Sequence, residues 1–149
     1  AMSAEGELFK VMVVVPGAPR GKGRPRTAVI AGRAQIYTDS QTRSEEGAIR
    51  SLSAAAMAGK APYDGAVILR MCAFRPIPQS FSARKRAAAE RGEIVPTTKP
   101  DADNYLKCSD ALNGVVWRDD SQVVTAVIHK RYSDQPRLVI IVKSVGGAT

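Results

Sequence analysis

The chain has 149 residues, of which 44% are hydrophobic and 24% charged, and this length and composition are ordinary for one globular domain. Lysine and arginine outnumber aspartate and glutamate by 22 to 14, so the formal net charge is +8 and the expected partner is negative, either a polyanion or a membrane surface. No apolar run reaches the roughly 18 residues of a membrane span, and the first residues lack a signal-peptide pattern, so we expect a cytoplasmic protein.

The first predicted element is a buried strand, Phe9 to Val15, in which valine predominates. Residues 17–26 follow as a loop with three glycines and two prolines, and four cations occupy its last seven positions: Arg20, Lys22, Arg24 and Arg26. These charges repel one another without a counterion, so the loop either binds phosphate oxygens or is a solvated, mobile loop. The acidic stretch described below favours phosphate binding.

The next predicted elements are a hairpin, a helix and a central strand. Residues 27–30 and 34–38 flank Ala31-Gly32-Arg33, a pattern typical of a hairpin. Asp39 or Ser40 can cap a helix over about residues 41–58. After a linker at residues 59–65, the nearly continuous apolar run from Ala66 to Phe74 predicts a central strand that ends near Pro76.

A short basic helix is predicted from Ala83 to Arg91, with Ser80 or Ser82 as its cap. Three consecutive cations stand at its start: Arg84, Lys85 and Arg86. Such a run is usually only a solvated face. Because this helix lies between a core strand and the acidic stretch, we favour a helix that faces nucleic acid.

An acidic stretch interrupts the basic chain between residues 101 and 120. Its charged residues are five aspartates and one lysine, with one arginine near the end: Asp101, Asp103, Lys107, Asp110, Arg118, Asp119 and Asp120. Clustered carboxylates repel one another unless a cation or hydrogen-bond donors compensate them. The stretch therefore predicts a site for a divalent metal ion, which carboxylate oxygens bind well.

The geometry of this stretch can be predicted from local rules. Pro100 disfavours the α region for the residue before it, so the chain should arrive extended and turn helical near Asp101 or Asp103, either of which can cap the helix. If residues 101–103 are still extended, these two carboxylates point to one side and can share an ion. Helical spacing then places Asp103, Lys107 and Asp110 on one face.

The opposite face of the motif helix is predicted to be apolar, and its members are Tyr105, Cys108 and Leu112. Asn113-Gly114 predicts the helix end. A strand beginning at Gln122 should return Asp119 or Asp120 to the start of the helix, which would complete a pocket of three carboxylates and one ammonium. Residues 122–131 and 138–145 are predicted to form an antiparallel pair, with His129 at a surface or edge position.

This order of elements indicates an α/β (α+β) fold, with a mixed β-sheet and helices packed on it. We expect a single domain over residues 1–149, with residues 1–7 disordered and residues 146–149 forming a tail. Cys72 and Cys108 fall in apolar patterns and are expected to be reduced core thiols. A lone histidine without a paired cysteine argues against zinc, and the lack of a phosphate loop argues against a nucleotide cofactor.

The acidic stretch resembles the signature of the RusA-like family of Holliday junction resolvases, which are small dimeric endonucleases common in phages and prophages. The matching elements are Asp-x-Asp-Asn at residues 101–104, the lysine at 107, Asp-Ala-Leu at 110–112 and Asp-Asp-x-Gln-Val at 119–123. The resemblance implies a RusA-like fold and a homodimeric, Mg²⁺-dependent endodeoxyribonuclease, for which Mn²⁺ can substitute. It also implies paired nicks in four-way junctions during DNA recombination and repair.

The resemblance also implies roles for individual residues. Asp101, Asp103 and Asp120 are expected to bind the metal, and Lys107 is expected to act near the scissile phosphate, so these four residues form the expected catalytic set. The residues expected to contact DNA are Arg20, Lys22, Arg24, Arg26, Arg84, Lys85 and Arg86. One departure is that the loop at residues 17–26 is more basic than the corresponding loop of the founding member, which bears on junction selectivity.

Other functions fit parts of the same sequence. A general branched-DNA or flap endonuclease would use the same chemistry, whereas a non-catalytic DNA-binding protein would leave its carboxylates facing phosphates. A transferase that holds a nucleotide diphosphate through Asp-x-Asp does not explain the second acidic pair. The sequence leaves open whether Asp110 pairs with Lys107 or supports the backbone, whether Asp119 is more than a turn residue, how many metals bind, and where the dimer interface lies.

Overall fold

The computed structural model describes residues 8–21, 26–30, 33–37 and 40–146, with side chains described for residues 8–21 and 44–146. Predictions that concern residues 1–7 and 147–149, and those for Lys22 and Arg24, lie outside the described residues, as does the side chain of Arg26. Among the described helices, none is both long and apolar enough to cross a membrane.

Six strands, three α-helices and two short 3₁₀-helices make up the described part of the chain. In chain order they are β1 (Lys10–Pro16), β2 (Arg26–Ile30), β3 (Arg33–Tyr37), α1 (Ser40–Met57), β4 (Val67–Pro76), α2 (Ala83–Glu90), α3 (Ala102–Leu106), the 3₁₀-helices Lys107–Leu112 and Asp120–Gln122, β5 (Val123–Ser133) and β6 (Arg137–Ser144). These elements agree with the predicted order, and β2 and β3 pair as the predicted hairpin.

Four of the strands form one mixed sheet in the order β1-β6-β4-β5. Strand β6 is antiparallel to both β1 and β4, whereas β4 and β5 are parallel. The predicted α+β architecture with a mixed sheet is therefore confirmed. The predicted pairing of β5 with β6 is wrong, because β4 lies between them and residues 134–136 connect the two strands across its end. Strand β4 has the most continuous apolar run, so it takes a position with a neighbour on each edge.

The hydrophobic core lies between one face of the sheet and the helices. Along β1 the valines at 11, 13 and 15 are buried and the residues between them are exposed, as expected for a strand with one covered face. Ile49 and Met57 of α1 belong to this core, together with Tyr105 and Trp117 from the motif region. The motif therefore packs on the same face of the sheet as α1.

Strand β5 forms an edge of the sheet, and a β-bulge marks its start. The register changes between Val67 and Ile68 of β4, so that Val124 of β5 has no partner and is 60% exposed. His129 is exposed on the same edge strand, as predicted.

Candidate active site

The acidic motif begins at the N-terminus of α3, where Asp101 occupies the N-cap position. Its backbone is extended, with φ −69° and ψ 156°, but its carboxylate makes no capping hydrogen bond. Of the two aspartates that the sequence offered as caps, Asp101 takes the N-cap position, although without a side-chain hydrogen bond. Asp103 already lies inside the helix, so the two carboxylates are not related by the alternation of an extended strand.

Asp103 and Lys107 lie on the exposed side of the motif, one turn apart. Asp103 Oδ2 is 3.8 Å from Lys107 Nζ, and the two side chains are 68% and 54% exposed, respectively. Asp110 follows at a half-buried position. Of the predicted face of Asp103, Lys107 and Asp110, the pairing of Asp103 with Lys107 is thus confirmed, and both of these charged groups are accessible to a ligand.

The second half of the motif is a 3₁₀-helix from Lys107 to Leu112, where the sequence predicted a continued α-helix. Tyr105, Cys108 and Ala111 are buried at intervals of three residues, which suits the three-residue turn of a 3₁₀-helix. The predicted apolar face is confirmed, since Leu112 is also buried. Burial of this face leaves the charged side of the motif toward solvent.

The basic loop begins directly against the motif. The Cys108 thiol donates to the Arg20 carbonyl across 3.4 Å. At Gly21, a Cβ atom would lie 2.9 Å from Pro100 Cβ and 3.1 Å from Asn104 Cβ, so only glycine allows this approach without displacement. Burial raises the pKa of Glu45 in α1, and the positive charge of Arg20 opposes that rise. The first residues of the predicted phosphate-binding loop therefore adjoin the Asp-x-Asp-Asn sequence.

Two cations from the sheet fix the chain just before the motif, and the sequence had not singled them out. Arg75 Nη1 donates to the Thr98 carbonyl and hydroxyl, each over 3.1 Å, and Lys130 Nζ donates to the same carbonyl over 2.7 Å. Arg75 is in β4 and Lys130 in β5. Their shared contact with Thr98 therefore connects the segment that leads to Asp101 with strands β4 and β5. Only their placement across one parallel strand pair reveals this role.

Asp119 and Gln122 shape the turn that carries Asp120. The Asp119 carboxylate accepts a hydrogen bond from the Ser121 amide over 3.0 Å, and together with Gln122 it forms a capping box. Hydrogen bonds from Ser121, through its side chain first and its amide second, hold the pKa of Asp119 below its ordinary value. The carboxylate of Asp119 thus has a partner within the turn, as expected for a turn residue, and both Asp119 and Asp120 are exposed.

The three carboxylates expected to bind metal have the chemistry that a divalent cation requires. They offer oxygen donors, which hard cations such as Mg²⁺ prefer, and the Asp101 carboxylate is not engaged in capping its helix. Their arrangement is less complete: among the residues described, no three of His, Cys, Asp and Glu stand together in a metal-binding group. The structure pairs Asp103 with Lys107 but does not gather Asp101, Asp103 and Asp120, whose metal-binding role stays a prediction.

The predicted DNA-facing helix is α2, with Ser82 as its cap. Lys85 lies over the Phe81 ring at 4.4 Å, and Arg86 Nη1 donates to the Pro78 carbonyl over 3.0 Å. Arg84 is exposed. Two of the three expected DNA contacts thus have local partners on their own segment, and contact with DNA remains a prediction for all three.

The fold and the site define a class of protein: a small α+β protein with a carboxylate motif beside a basic loop. A family model described as endodeoxyribonuclease RusA matches residues 16–143. The chain therefore belongs to the RusA endodeoxyribonuclease family, as the sequence motif predicted. It is also 34% identical over 138 residues to "Uncharacterized protein YqaN" of Bacillus subtilis (strain 168), and the match covers 91% of this chain and 96% of that protein.

Proposed function

We propose that this protein is a Mg²⁺-dependent, structure-selective endodeoxyribonuclease that resolves Holliday junctions by paired nicks in DNA recombination and repair. The observation that carries the proposal is the contact between the basic loop and the acidic motif at Gly21, Pro100 and Asn104. In phosphodiester hydrolysis a metal held by carboxylates would activate the phosphate, and a neighbouring basic loop would bind the phosphates of the DNA backbone.

In this proposal Asp101, Asp103 and Asp120 hold Mg²⁺, with Mn²⁺ as a substitute. The bound metal would polarise a phosphoryl oxygen, generate hydroxide and stabilise the departing 3′ oxygen. Lys107 contributes a positive charge beside the same site, where it stabilises negative charge that develops on the phosphate or the leaving oxygen. Its exposure at the surface of the motif leaves the ammonium accessible to DNA.

The proposed DNA path runs from the basic loop across the motif toward α2. Arg75 and Lys130 add two cations beside the motif, where both donate to the Thr98 carbonyl. The residues proposed to contact phosphates are Arg20, Lys22, Arg24, Arg26, Arg84, Lys85 and Arg86. We place the activity in the cytoplasm, where DNA is the polyanion that matches the net charge of +8.

We also propose a homodimer, because two matched nicks in a junction of two-fold symmetry require two active sites. The sheet face turned away from the core supports this proposal. It exposes Met12 and Val14 at 56% and 41%, beside Val139 and Ile141 of the neighbouring strand. Met12→Glu should dissociate the dimer in light scattering, whereas a monomeric parent protein would contradict the proposal.

The experiment that tests the proposed function compares an end-labelled four-way junction with matched duplex, fork and flap, each with Mg²⁺ and with EDTA. Paired symmetric nicks in the junction alone, lost in EDTA, would support a resolvase. Cleavage of every branched substrate would make the protein a general branched-DNA or flap endonuclease. Tight binding without cleavage would instead make it a non-catalytic DNA-binding protein.

A further inference from the structure

Gln122 uses its whole side-chain amide to join two distant segments. Its Oε1 accepts hydrogen bonds from the amides of Arg118 and Asp119 over 2.8 and 3.0 Å. Its Nε2 donates to the carbonyls of Tyr63 and Gly65, each over 2.8 Å. An amide group has two donor hydrogens and an oxygen with two lone pairs, so all four positions are satisfied here.

The linker that receives these bonds is itself firmly anchored. The Tyr63 amide donates to the Val116 carbonyl over 2.8 Å, and the Tyr63 ring stacks on Phe9 with centroids 4.6 Å apart. A Cβ at Gly65 would lie 2.9 Å from the Tyr63 ring, so the linker folds closely around that ring. Gln122 therefore connects the turn to a well-packed part of the protein.

Asp120 lies inside the turn that Gln122 secures. Gln122 contacts the backbone on one side of Asp120, and Asp119 closes the same turn by accepting from the Ser121 amide. These bonds fix the backbone on both sides of Asp120 while leaving its exposed carboxylate unused by the cap. Because the backbone is already ordered, only the side chain of Asp120 would lose conformational entropy when it binds a metal.

We propose that Gln122 is a positioning residue that fixes the Asp120 carboxylate for the metal by tying the Asp119-Asp120 turn to the linker at Tyr63 and Gly65. This inference rests on the proposed function, because it assumes that Asp120 binds the metal. Groups that hydrogen-bond to metal ligands orient them, and their loss typically weakens metal binding about 10- to 100-fold. Gln122 would act on Asp120 through the backbone of the turn, and we take the same range as the expected effect.

Two substitutions test the hydrogen bonds of Gln122: one removes all four of them, and the other removes the two that the amide nitrogen donates to the linker. Gln122→Met keeps the length of the side chain but removes all four hydrogen bonds. Gln122→Glu keeps an oxygen acceptor for the Arg118 and Asp119 amides, but it turns a carboxylate toward two carbonyls and loses both donors. Because the tie to the linker carries the proposal, both variants should impair the metal site.

The matched control is Asp64→Asn, which weakens the exposed ion pair between Arg118 Nε and Asp64 Oδ1 at 3.5 Å. This pair spans the same linker and turn but does not involve the Gln122 amide. Exposed ion pairs contribute little to stability, so the control variant should behave like the parent protein. Any effect confined to the Gln122 variants then belongs to the amide contacts.

The measurement has two readouts. The first is the Mg²⁺ concentration that half-maximally raises the melting temperature of the DNA-free protein, and the second is the Mg²⁺ concentration for half-maximal junction cleavage. We expect both to rise about 10- to 100-fold in Gln122→Met and Gln122→Glu, with cleavage largely restored at high Mg²⁺. If Gln122→Met does not fold, the Mg²⁺ requirement of Gln122→Glu tests the inference.

The outcomes separate this inference from the proposed function. A lower melting temperature without a changed Mg²⁺ requirement would make Gln122 a structural residue and overturn the inference. The inference would also be overturned if Asp64→Asn raised the required Mg²⁺ concentration as much as Gln122→Met does. If the parent protein neither responds to Mg²⁺ nor cuts DNA, the proposed function itself fails.

Discussion

The carboxylate of Asp103 and the ammonium of Lys107 lie one turn apart on the solvent side of the motif, 3.8 Å from each other. An ion pair this exposed contributes little to stability, typically about 0.5 kcal/mol or less for neighbours on a helix. Neither group is therefore required by the fold to stay with the other. A metal at Asp103 and a phosphate at Lys107 can replace the pair.

Lys107→Ala should retain junction binding and lose cleavage. We expect a fall in the cleavage rate of about 100-fold or more, because a charge that stabilises the developing anion is removed. Single-turnover cleavage of bound junction measures this step apart from binding. Lys99→Ala removes an exposed lysine outside the motif helix and is the control. An equal loss in both variants would mean that only the general positive charge matters.

Gly21→Ala should disturb the motif without unfolding the protein. The added methyl group would lie 2.9 Å from Pro100 Cβ and 3.1 Å from Asn104 Cβ, so the loop and the motif must separate. We expect weaker DNA binding and slower cleavage, measured by titration and by nicking assay. Gly47→Ala in α1 meets nothing within 4 Å and should stabilise the helix by about 0.5 to 1 kcal/mol. Unchanged activity of Gly21→Ala would show that the contact is dispensable.

Neutralising Arg24 and Arg26 together should weaken junction binding and flatten its salt dependence. Each lost phosphate contact lowers the slope of log affinity against log salt by about 1. Binding measured over a salt series in EDTA isolates this effect from cleavage. Arg91→Gln is the control, because Arg91 is paired with Glu93 at an exposed site. If the double variant kept the salt dependence of the parent protein, the basic loop would be a solvated loop that does not contact phosphates.

Cys72 should react slowly with iodoacetamide near neutral pH. Burial raises the pKa of this thiol, although Arg131 and Arg137 oppose the rise. The folded protein therefore holds the proton more tightly than the unfolded chain, so stability falls as the pH rises from the ordinary value of the thiol through its raised one. The rate of Cys72 alkylation, measured by mass spectrometry across alkaline pH, reports the raised pKa of the thiol. Arg137→Gln removes a charge that opposes the rise, so this variant should be alkylated still more slowly. Rapid labelling at neutral pH would contradict this prediction.

Much of the fold was predictable because local patterns determine it. The valine-rich sequence of β1 and the long apolar run of β4 predict two strands of the core, and the spacing of Tyr105 and Cys108 predicts the buried side of the motif. The pairing of β5 with β6 was predicted wrongly because alternation identifies the faces of a strand but not its neighbours. Chain neighbours usually pair, and here β4 separates them.

The sequence predicted the residue types of the candidate site, but it did not predict most of the residues that hold the site in place. Arg75 and Lys130 meet at Thr98 only through the parallel pairing of β4 and β5, which no local pattern reveals. Gln122 did have a sequence signal, because Asp119 followed three residues later by glutamine is the spacing of a capping box. Its bonds to the linker before β4 depend on tertiary packing and required the structure.

The proposed function requires that the aspartates of the motif bind the metal that supports DNA cleavage. Its most direct test is Asp103→Asn, which removes a ligand charge without adding bulk, assayed for junction binding and for cleavage in Mg²⁺ beside the parent protein. We expect Asp103→Asn to bind the junction with unchanged affinity and to make no nicks. Cleavage by Asp103→Asn at the same Mg²⁺ concentration and a parental rate would contradict the assignment of Asp103 as a metal ligand.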